Sequence, residues 1–201
     1  MGSPAPALLP LLRSQAQAEL LALLYLHPDM EYSLTEVAAL IGVSVKTIHT
    51  EASRLVEAGF ISDRRHGNNR LLRAVTDSPV SKPLTDLLAV TFGPVPVLTD
   101  LLKGANGVEQ AFIYGSWASR YRGESGPVPN DVDVLVVGSA DRDDLDGIAR
   151  AAQARLGRPV DIRRVRPEIW ESSDPADPFL ASVRTRPLVE LRLTEQEEAP
   201  A

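Results

Sequence analysis

The stretch SLTEVAALIGVSVKTIHTEASRLVEAGFI, residues 33–61, decides the fold of the first part of this 201-residue chain. Its start has capping-box spacing, in which the Ser33 hydroxyl can bond the amide of Glu36. Apolar residues then recur at helical spacing on both sides of Gly42, which supplies a tight turn before Ser44 can cap the next helix. The stretch therefore predicts a helix, a glycine turn and a second helix, which is the helix-turn-helix pattern.

The segments on either side extend this pattern into a domain. Upstream, a leucine-rich run predicts another helix that ends near His27, because a proline follows. Downstream, two segments flank the polar turn at residues 66–69 and predict a two-stranded hairpin. Residues 1–78 are thus predicted to form a winged helix-turn-helix domain, in which the hairpin is the wing.

Polar side chains on the second helix of this motif are candidates for DNA contact. If Val45 and Ile48 face inward, the outward residues of its first turns could enter a major groove. These are Ser44, Lys46, Thr47 and Thr50, with Arg54 one turn further on. Near the wing tip, Arg64, Arg65 and Arg70 suit phosphate or minor-groove contact. The alternative is a small helical domain whose solvated basic hairpin serves dimerisation or protein contact.

Charge is distributed unevenly along the chain, although its net value is -6. Residues 1–75 carry seven Lys or Arg against seven Asp or Glu, so all the excess acid lies beyond them. Within residues 44–75 the balance is six basic to three acidic. A nucleic-acid surface is therefore compatible with the acidic total.

Composition narrows the classes of function and location. The chain has no cysteine, which excludes disulfides and thiolate metal sites, so any metal must be held mainly by oxygen. No long uninterrupted apolar window and no signal-peptide pattern is present, so we expect a cytoplasmic protein without membrane contact. Residues 79–94 predict a linker helix with proline-marked ends, and residues 194–201 predict a frayed acidic tail.

Residues 95–193 hold three signals that point to phosphate and metal chemistry. A strand over residues 111–114 runs into Gly115-Ser116, which could cradle a phosphate, although such a pair is more often an ordinary turn and helix cap. Asp131 and Asp133 begin a second strand and project on one face, where a divalent cation could bridge them. Solvated strand-end acids are the plainer alternative.

A third acid, Asp161, lies in a short strand between two β-branched residues. If this strand pairs beside the second one, Asp161 can share the face of Asp131 and Asp133 and three carboxylates could hold two metals. The alternative is a strand-edge acid that pairs with Arg163 or Arg164. We predict that the three acids converge, because all three signals occur together in this order.

Across residues 14–75 the sequence resembles the winged-helix repressors of the ArsR and MarR type, in the order of its elements and in the phrase LVEAGFI at residues 55–61. The resemblance implies a homodimer on a palindromic operator in double-stranded DNA. Lys46 is the sole Lys or Arg in the first turns of the proposed reading helix, which leaves sequence specificity open.

Across residues 95–166 the sequence resembles the minimal nucleotidyltransferases of the DNA polymerase beta superfamily, on the motifs FIYGS, DVD and VDI. The resemblance implies an α+β domain with a small mixed sheet and flanking helices. It implies that Gly115 and Ser116 hold the phosphates of a nucleoside triphosphate, and that Asp131, Asp133 and Asp161 bind Mg²⁺ or Mn²⁺ and are the catalytic residues. Arg120 and Arg122 could touch the triphosphate, though exposed helix arginines are more often solvated.

These observations favour a DNA-binding regulator that transfers a nucleoside monophosphate to a protein or RNA acceptor. The resemblance also suggests an antitoxin-like role with a cognate toxin as partner. The rival hypothesis is a non-catalytic regulator whose second domain senses nucleotide or metal. We do not expect a processive polymerase, because 201 residues leave no room for the fingers and thumb domains that would grip a template.

Overall fold

A computed structural model describes residues 12–172 and 177–193 of the chain. The chain divides into two compact units, Met1–Gly93 and Pro94–Ala201. The predicted acidic tail at residues 194–201 lies outside the described residues. The α+β class is confirmed, with a winged helix-turn-helix followed by a small mixed sheet with flanking helices.

The first unit has the order of elements of a winged helix. Its sheet has the strand order β1-β3-β2, and β2 and β3 form the predicted hairpin with His66 opposite Asn69. The elements are α1 (Gln15–Leu26), β1 (Tyr32–Ser33), α2 (Leu34–Ile41), α3 (Val45–Glu57), β2 (Ile61–His66), β3 (Asn69–Ala74) and α4 (Ser81–Phe92). The short strand β1 was not predicted, because two residues carry no periodicity.

Helix caps fix the helix-turn-helix as the sequence predicts. The Ser33 hydroxyl accepts a hydrogen bond from the Glu36 amide at 3.2 Å, and the Glu36 carboxylate accepts one from the Ser33 amide at 2.7 Å. Ser44 caps α3 in the same way by accepting from the Thr47 amide at 3.1 Å. Each cap satisfies amides that a helix start leaves without partners, so both helix starts are set locally.

Tyr25 joins the central helix α1 to the loop on each side of the wing. Its side chain is 1% exposed, and its hydroxyl lies 2.7 Å from the carbonyl oxygen of Phe60 and 3.2 Å from that of Val75. The two carbonyls come directly before and after the hairpin. Tyr25 therefore fixes the base of the wing on the helical core.

Replacing Tyr25 with Phe is expected to destabilise the first unit by about 1 kcal/mol, because the ring still packs but the hydroxyl hydrogen bond is lost. The Phe60 and Val75 carbonyls keep a donor each, from the Val75 amide and the Ser81 hydroxyl. Urea unfolding of the full chain should show a lower midpoint for the transition of this unit, with an unchanged slope. An unaltered midpoint would mean that water replaces the hydroxyl at no cost.

The predicted linker helix is not a separate segment. Helix α4 packs on α1 and belongs to the first unit, because Leu88 and Ala89 are buried there and Ser81 donates to the Val75 carbonyl at 2.7 Å. The division between the units falls after Gly93, not at residue 78. On the other side of α4, Leu87 and Val90 remain exposed, as does Val80 at its N-cap.

Among the described residues, one helical stretch, Ser81–Leu102, is long and apolar enough to cross a membrane by length and composition alone. It consists of α4 and α5, which Gly93 separates, and 39% of its most apolar window is buried within the protein. Core helices pass the same test, so this is weak evidence for a span.

The second unit contains a four-stranded sheet in the order β6-β5-β4-β7. Strand β5 runs antiparallel to β4 and parallel to β6, which makes the sheet mixed. The elements are α5 (Pro94–Leu102), β4 (Val108–Tyr114), α6 (Gly115–Tyr121), β5 (Val132–Gly138), α7 (Arg142–Leu156), β6 (Val160–Val165), α8 (Pro167–Glu171), α9 (Pro178–Arg184) and β7 (Val189–Glu190). The end of β4 and the starts of β5 and β6 therefore meet at one edge.

Candidate DNA surface and carboxylate site

The first turns of α3 present an exposed polar surface. Ser44, Lys46, Thr47 and Thr50 are all exposed, as predicted, and Arg54 is exposed one turn on. Local hydrogen bonds occupy three of them, because Ser44 and Thr47 bond each other and Thr50 donates to the Lys46 carbonyl. The prediction that Val45 faces inward is wrong. Its side chain is 43% exposed, since the first residue of the helix lies beyond the edge of the core that buries Ile48.

Two of the three wing arginines are engaged within the unit. Arg64 Nε donates to both carboxylate oxygens of Glu31, at 2.8 and 3.1 Å, and the Arg64 Nη2 atom also bonds Glu31. Arg70 bonds Asp63 at 2.5 Å and the Ser53 hydroxyl at 2.9 Å. These acids lower the positive charge that the wing offers to a phosphate.

Arg65 differs from its neighbours on the wing. It is exposed, and in the described part of the chain no side chain or carbonyl bonds it. Lys46 is in the same state on α3. Lys46 on α3 and Arg65 on the wing are therefore the two predicted DNA-contact cations whose side chains bond no described residue.

The structure brings the three predicted acids to one sheet edge. Asp133 lies opposite Asp161 in the parallel pair β5 and β6, and opposite Tyr114 in the antiparallel pair β5 and β4. Residues opposite each other share a sheet face, so both acids project on the face of Tyr114. Asp131 precedes β5 by one residue and has the same parity as Asp133.

Electrostatics show that the acids act on one another. Burial raises the pKa of the Asp133 carboxyl above its usual range, and the negative charges of Asp131 and Asp161 raise it further. Burial also raises the pKa of the Tyr114 hydroxyl to about 12, with contributions from Asp133 and Asp161. Like charges gathered in this way favour a bound cation or a bound proton.

Gly115 allows the backbone to approach the carboxylate of Asp133 closely. Its φ is +69°, a left-handed conformation that L side chains rarely adopt. A Cβ atom placed on it would lie 2.5 Å from the Oδ2 atom of Asp133. The turn into α6 is thus in van der Waals contact with the central carboxylate, and the neighbouring Ser116 is exposed beside it.

The two predicted triphosphate arginines bond backbone carbonyls instead of standing free. Arg120 donates to the Gly126 carbonyl at 2.8 Å, within the loop that leads to β5. Arg122 donates to the Leu188 carbonyl at 3.2 Å, directly before β7. Both bonds fix the surroundings of α6, and a triphosphate contact by either arginine remains a prediction.

Sequence reasoning missed the aromatic pair that covers this sheet face. Phe179 of α9 makes an edge contact with Tyr114, with 5.6 Å between ring centroids. Its ring also lies 4.0 Å below the guanidinium carbon of Arg163, which shares the face of Asp161. No signal in the sequence ties Phe179 to β4 or β6, because α9 reaches the sheet only through tertiary packing.

The two tryptophans differ in burial, since Trp117 lies in the core and Trp170 is half-buried. Trp117 is 1% exposed in the core, where the Arg158 guanidinium carbon lies 5.2 Å from its ring centroid. Trp170 packs against Phe112, with ring centroids 5.2 Å apart.

The fit of a metal ion is mixed. In the part of the chain that the structure describes, no group of three or more His, Asp or Glu side chains is placed to hold an ion. The donors are nonetheless carboxylate oxygens, which Mg²⁺ and Mn²⁺ prefer, and Asp133 carries the raised pKa of an acid held near others. The type of donor atom therefore suits a hard divalent cation, but the side-chain positions within the described residues do not form a complete site.

No family model matches the chain, and no curated protein matches it in sequence. Three solved structures are similar to the chain over part of its length. Reduced HlyU from Vibrio cholerae is 19% identical, with 41% of this chain and 82% of HlyU covered and a TM-score of 0.34. The antimony-specific transcriptional repressor AntR is 26% identical, with 33% and 60% covered and a TM-score of 0.29.

The third similar structure is the heme sensor protein PefR from Streptococcus agalactiae in complex with heme. It is 17% identical, with 45% of this chain and 60% of PefR covered and a TM-score of 0.33. All three TM-scores lie below 0.5, so the winged-helix assignment stands on the element order and strand order of the first unit.

Proposed function

We propose that this protein is a DNA-binding transcriptional regulator whose second unit transfers a nucleoside monophosphate from a nucleoside triphosphate to an acceptor hydroxyl. One observation supports the enzymatic part: Asp131, Asp133 and Asp161 lie at a single sheet edge, where the charges of the other two raise the pKa of Asp133 and Gly115 passes close to the Asp133 carboxylate. The acceptor oxygen would bond to the α-phosphorus, pyrophosphate would leave with the electrons of the broken bond, and the hydroxyl proton would pass to water.

Each residue of the edge has a part in this proposal. Gly115 and Ser116 would receive the triphosphate, and the carboxylates would hold Mg²⁺ or Mn²⁺ beside it. The bound cation would supply charge neutralisation for the leaving pyrophosphate and lower the pKa of the acceptor hydroxyl. The protein's own residues mainly position charge, as phosphoryl transfer requires.

A second candidate function is nucleotide or metal sensing without turnover. It is favoured by the side-chain positions, since within the described residues no three acids already form a complete metal site. Ligand binding would then reposition the acids and alter DNA affinity through the winged helix. Transfer predicts a labelled acceptor, whereas sensing predicts ligand binding without any labelled product.

One experiment separates them. The full chain is incubated with Mg²⁺ or Mn²⁺, each α-labelled nucleoside triphosphate, and protein or RNA acceptors. Transfer of label that is lost in Asp133→Asn supports catalysis. Absence of any labelled acceptor, together with a triphosphate-dependent change in melting temperature and in DNA affinity, supports sensing and excludes the transferase.

The DNA-binding part of the proposal is supported by the winged-helix topology and by two exposed cations, Lys46 on α3 and Arg65 on the wing. A gel shift on the promoter of the protein's own gene tests it, with Lys46→Ala and Arg65→Ala as the variants expected to bind more weakly.

A homodimer on a palindromic operator and a cytoplasmic location belong to the same proposal. The exposed apolar side chains of α4 are compatible with self-association. A cognate toxin is one possible protein acceptor.

Replacing Glu31 with Gln is expected to strengthen binding to a random-sequence DNA duplex about fivefold at low salt, because Arg64 is released from its carboxylate partner. The slope of log affinity against log salt should steepen by about one unit. Fluorescence anisotropy over a salt series measures both quantities.

Glu57→Gln is the matched control, since it removes an exposed acid near the end of α3 that has no described partner. It tests whether the gain reflects overall charge alone. Equal gains in affinity in the two variants would show that the ion pair with Glu31 does not weaken phosphate binding by Arg64. Arg64 would then no longer be assigned as a phosphate contact that Glu31 suppresses.

A further inference from the structure

Strand β6 has a free edge in the part of the chain that the structure describes. The sheet order is β6-β5-β4-β7, so β5 covers one side of β6 and no described strand covers the other. A cleft of about 430 Å³ is lined by the consecutive residues 161–164 of β6 and by the start of α7. The strand pairs with β5 without a bulge and contains no proline. A regular open edge of this kind is a template for pairing with another strand.

The backbone of β6 determines which residues face this edge. The Pro159 carbonyl accepts a hydrogen bond from the Val132 amide at 2.9 Å, so it points toward β5. Backbone groups alternate in direction along a strand, and Asp161 and Arg163 therefore also direct their amides and carbonyls toward β5. The residues whose amides and carbonyls point outward, to the free edge, are Val160, Ile162 and Arg164.

A second copy of the same strand can satisfy these outward groups. When two β6 strands run antiparallel with Ile162 at the centre, Val160 of each lies opposite Arg164 of the other. Every outward amide and carbonyl of both strands then has a hydrogen-bond partner. In the same register Asp161 of each copy lies opposite Arg163 of the other, with both side chains on one face of the joined sheet.

Charge distinguishes this register from its neighbours. Opposite charges that face each other across an antiparallel pair stabilise it, and like charges destabilise it. A register shift that keeps the backbone bonding would set Asp161 opposite Asp161, or Arg163 opposite Arg163. Both side chains are exposed, and neither has an ion-pair partner among the described residues. The strand is therefore complementary to itself in one register.

We infer that two copies of this chain associate by antiparallel pairing of their β6 strands, with Asp161 of each copy paired to Arg163 of the other. The two four-stranded sheets become one continuous sheet around a two-fold axis at Ile162. This interface is separate from the exposed apolar side chains of α4 in the first unit. The inference does not rest on the proposed function, because it uses only a free backbone edge and two exposed side chains.

Cross-linking at the centre of the pair tests this association in the full chain, without nucleotide or metal. The chain contains no cysteine, so Ile162→Cys introduces a single reactive thiol at the proposed two-fold axis. A short bifunctional maleimide should join two copies there. Gln153→Cys is the control, because Gln153 is exposed on α7 and lines a different cavity. A yield of cross-linked dimer that is no higher for Ile162→Cys than for Gln153→Cys would overturn the inference.

Charge reversal tests the register. In the Ile162→Cys background, Arg163→Asp sets acids opposite acids and Asp161→Arg sets arginines opposite arginines, so each should weaken self-association about tenfold. An equimolar mixture of the two variants restores opposite charges at every facing position and should recover the cross-linked dimer. Recovery also shows that both variants are folded. Equal yields in all samples, as association through α4 alone would give, or a mixture no better than its components, would refute pairing through β6.

Discussion

Replacing Asp133 with Asn should lower the rate of nucleotidyl transfer about a thousandfold or more while the protein remains folded. Asp133 is the central acid of the edge, since it lies opposite Asp161 in the sheet and its titration responds to both other acids. Asn keeps the shape of the side chain and removes the charge that a cation requires. A loss of three decades corresponds to about 4 kcal/mol of transition-state stabilisation. Single-turnover label transfer measures it.

The same substitution should raise the melting temperature of the second unit at about pH 7, by about 2 °C. The folded state raises the pKa of Asp133, so it binds the proton more tightly than the unfolded state does. The ionised carboxylate therefore costs folding free energy above the folded pKa, and this cost disappears as the pH falls below the ordinary aspartate range. The gain from Asn should vanish there.

Asp100→Asn is the control for both measurements. Asp100 forms an exposed ion pair with Arg155 at 2.6 Å, and such pairs contribute little to stability. It should leave transfer and the melting temperature nearly unchanged. Full activity in Asp133→Asn would refute the proposed site, and a melting temperature lowered near neutral pH would refute the electrostatic account of Asp133.

Local rules predicted much of the first unit because its signals are local. The caps at Ser33 and Ser44 and the turn at Gly42 each involve residues within a few positions of one another. The ion pair between Arg64 and Glu31 joins residues 33 positions apart, across two helices, so no spacing rule reveals it. The exposure of Val45 was missed for a related reason, since periodicity gives a helix face but not where the core ends.

The candidate site shows the same difference between features set by local sequence and features set by tertiary packing. Strand alternation predicted that Asp131 and Asp133 share a face, because both were placed at the start of one strand; in the structure Asp131 directly precedes β5 and keeps the parity of Asp133. The position of Asp161 required β6 to pair in parallel with β5. This is a tertiary fact, which the joint order of the three signals and the resemblance suggested but no local rule fixes. Phe179 and its contact with Arg163 could not be anticipated, since a helix from beyond the motifs delivers the ring to the sheet.

Replacing Gly115 with Ala should lower transfer activity about a hundredfold and destabilise the second unit by about 2 kcal/mol. Two costs contribute. A positive φ of +69° is strained for alanine, and the new Cβ would lie 2.5 Å from Oδ2 of Asp133. The carboxylate is the end of a rotatable side chain and moves aside more easily than backbone does. The substitution therefore displaces the central acid, and activity suffers more than folding.

Gly123→Ala separates these two costs. Gly123 also has a positive φ, +92°, but a Cβ there meets no atom within 4 Å. It should show the backbone cost of about 1 kcal/mol with little loss of transfer. Circular dichroism melts and label transfer on both variants give the comparison.

A double-mutant cycle isolates the contact itself. In an Asp133→Ala background no carboxylate remains to collide with a methyl group at position 115, so the stability cost of Gly115→Ala should fall to that of Gly123→Ala. An unchanged cost would mean that strain at position 115 alone explains the variant. The close approach of Gly115 to Asp133 would then have no part in placing the acid, and the need for glycine at the start of α6 would be purely conformational.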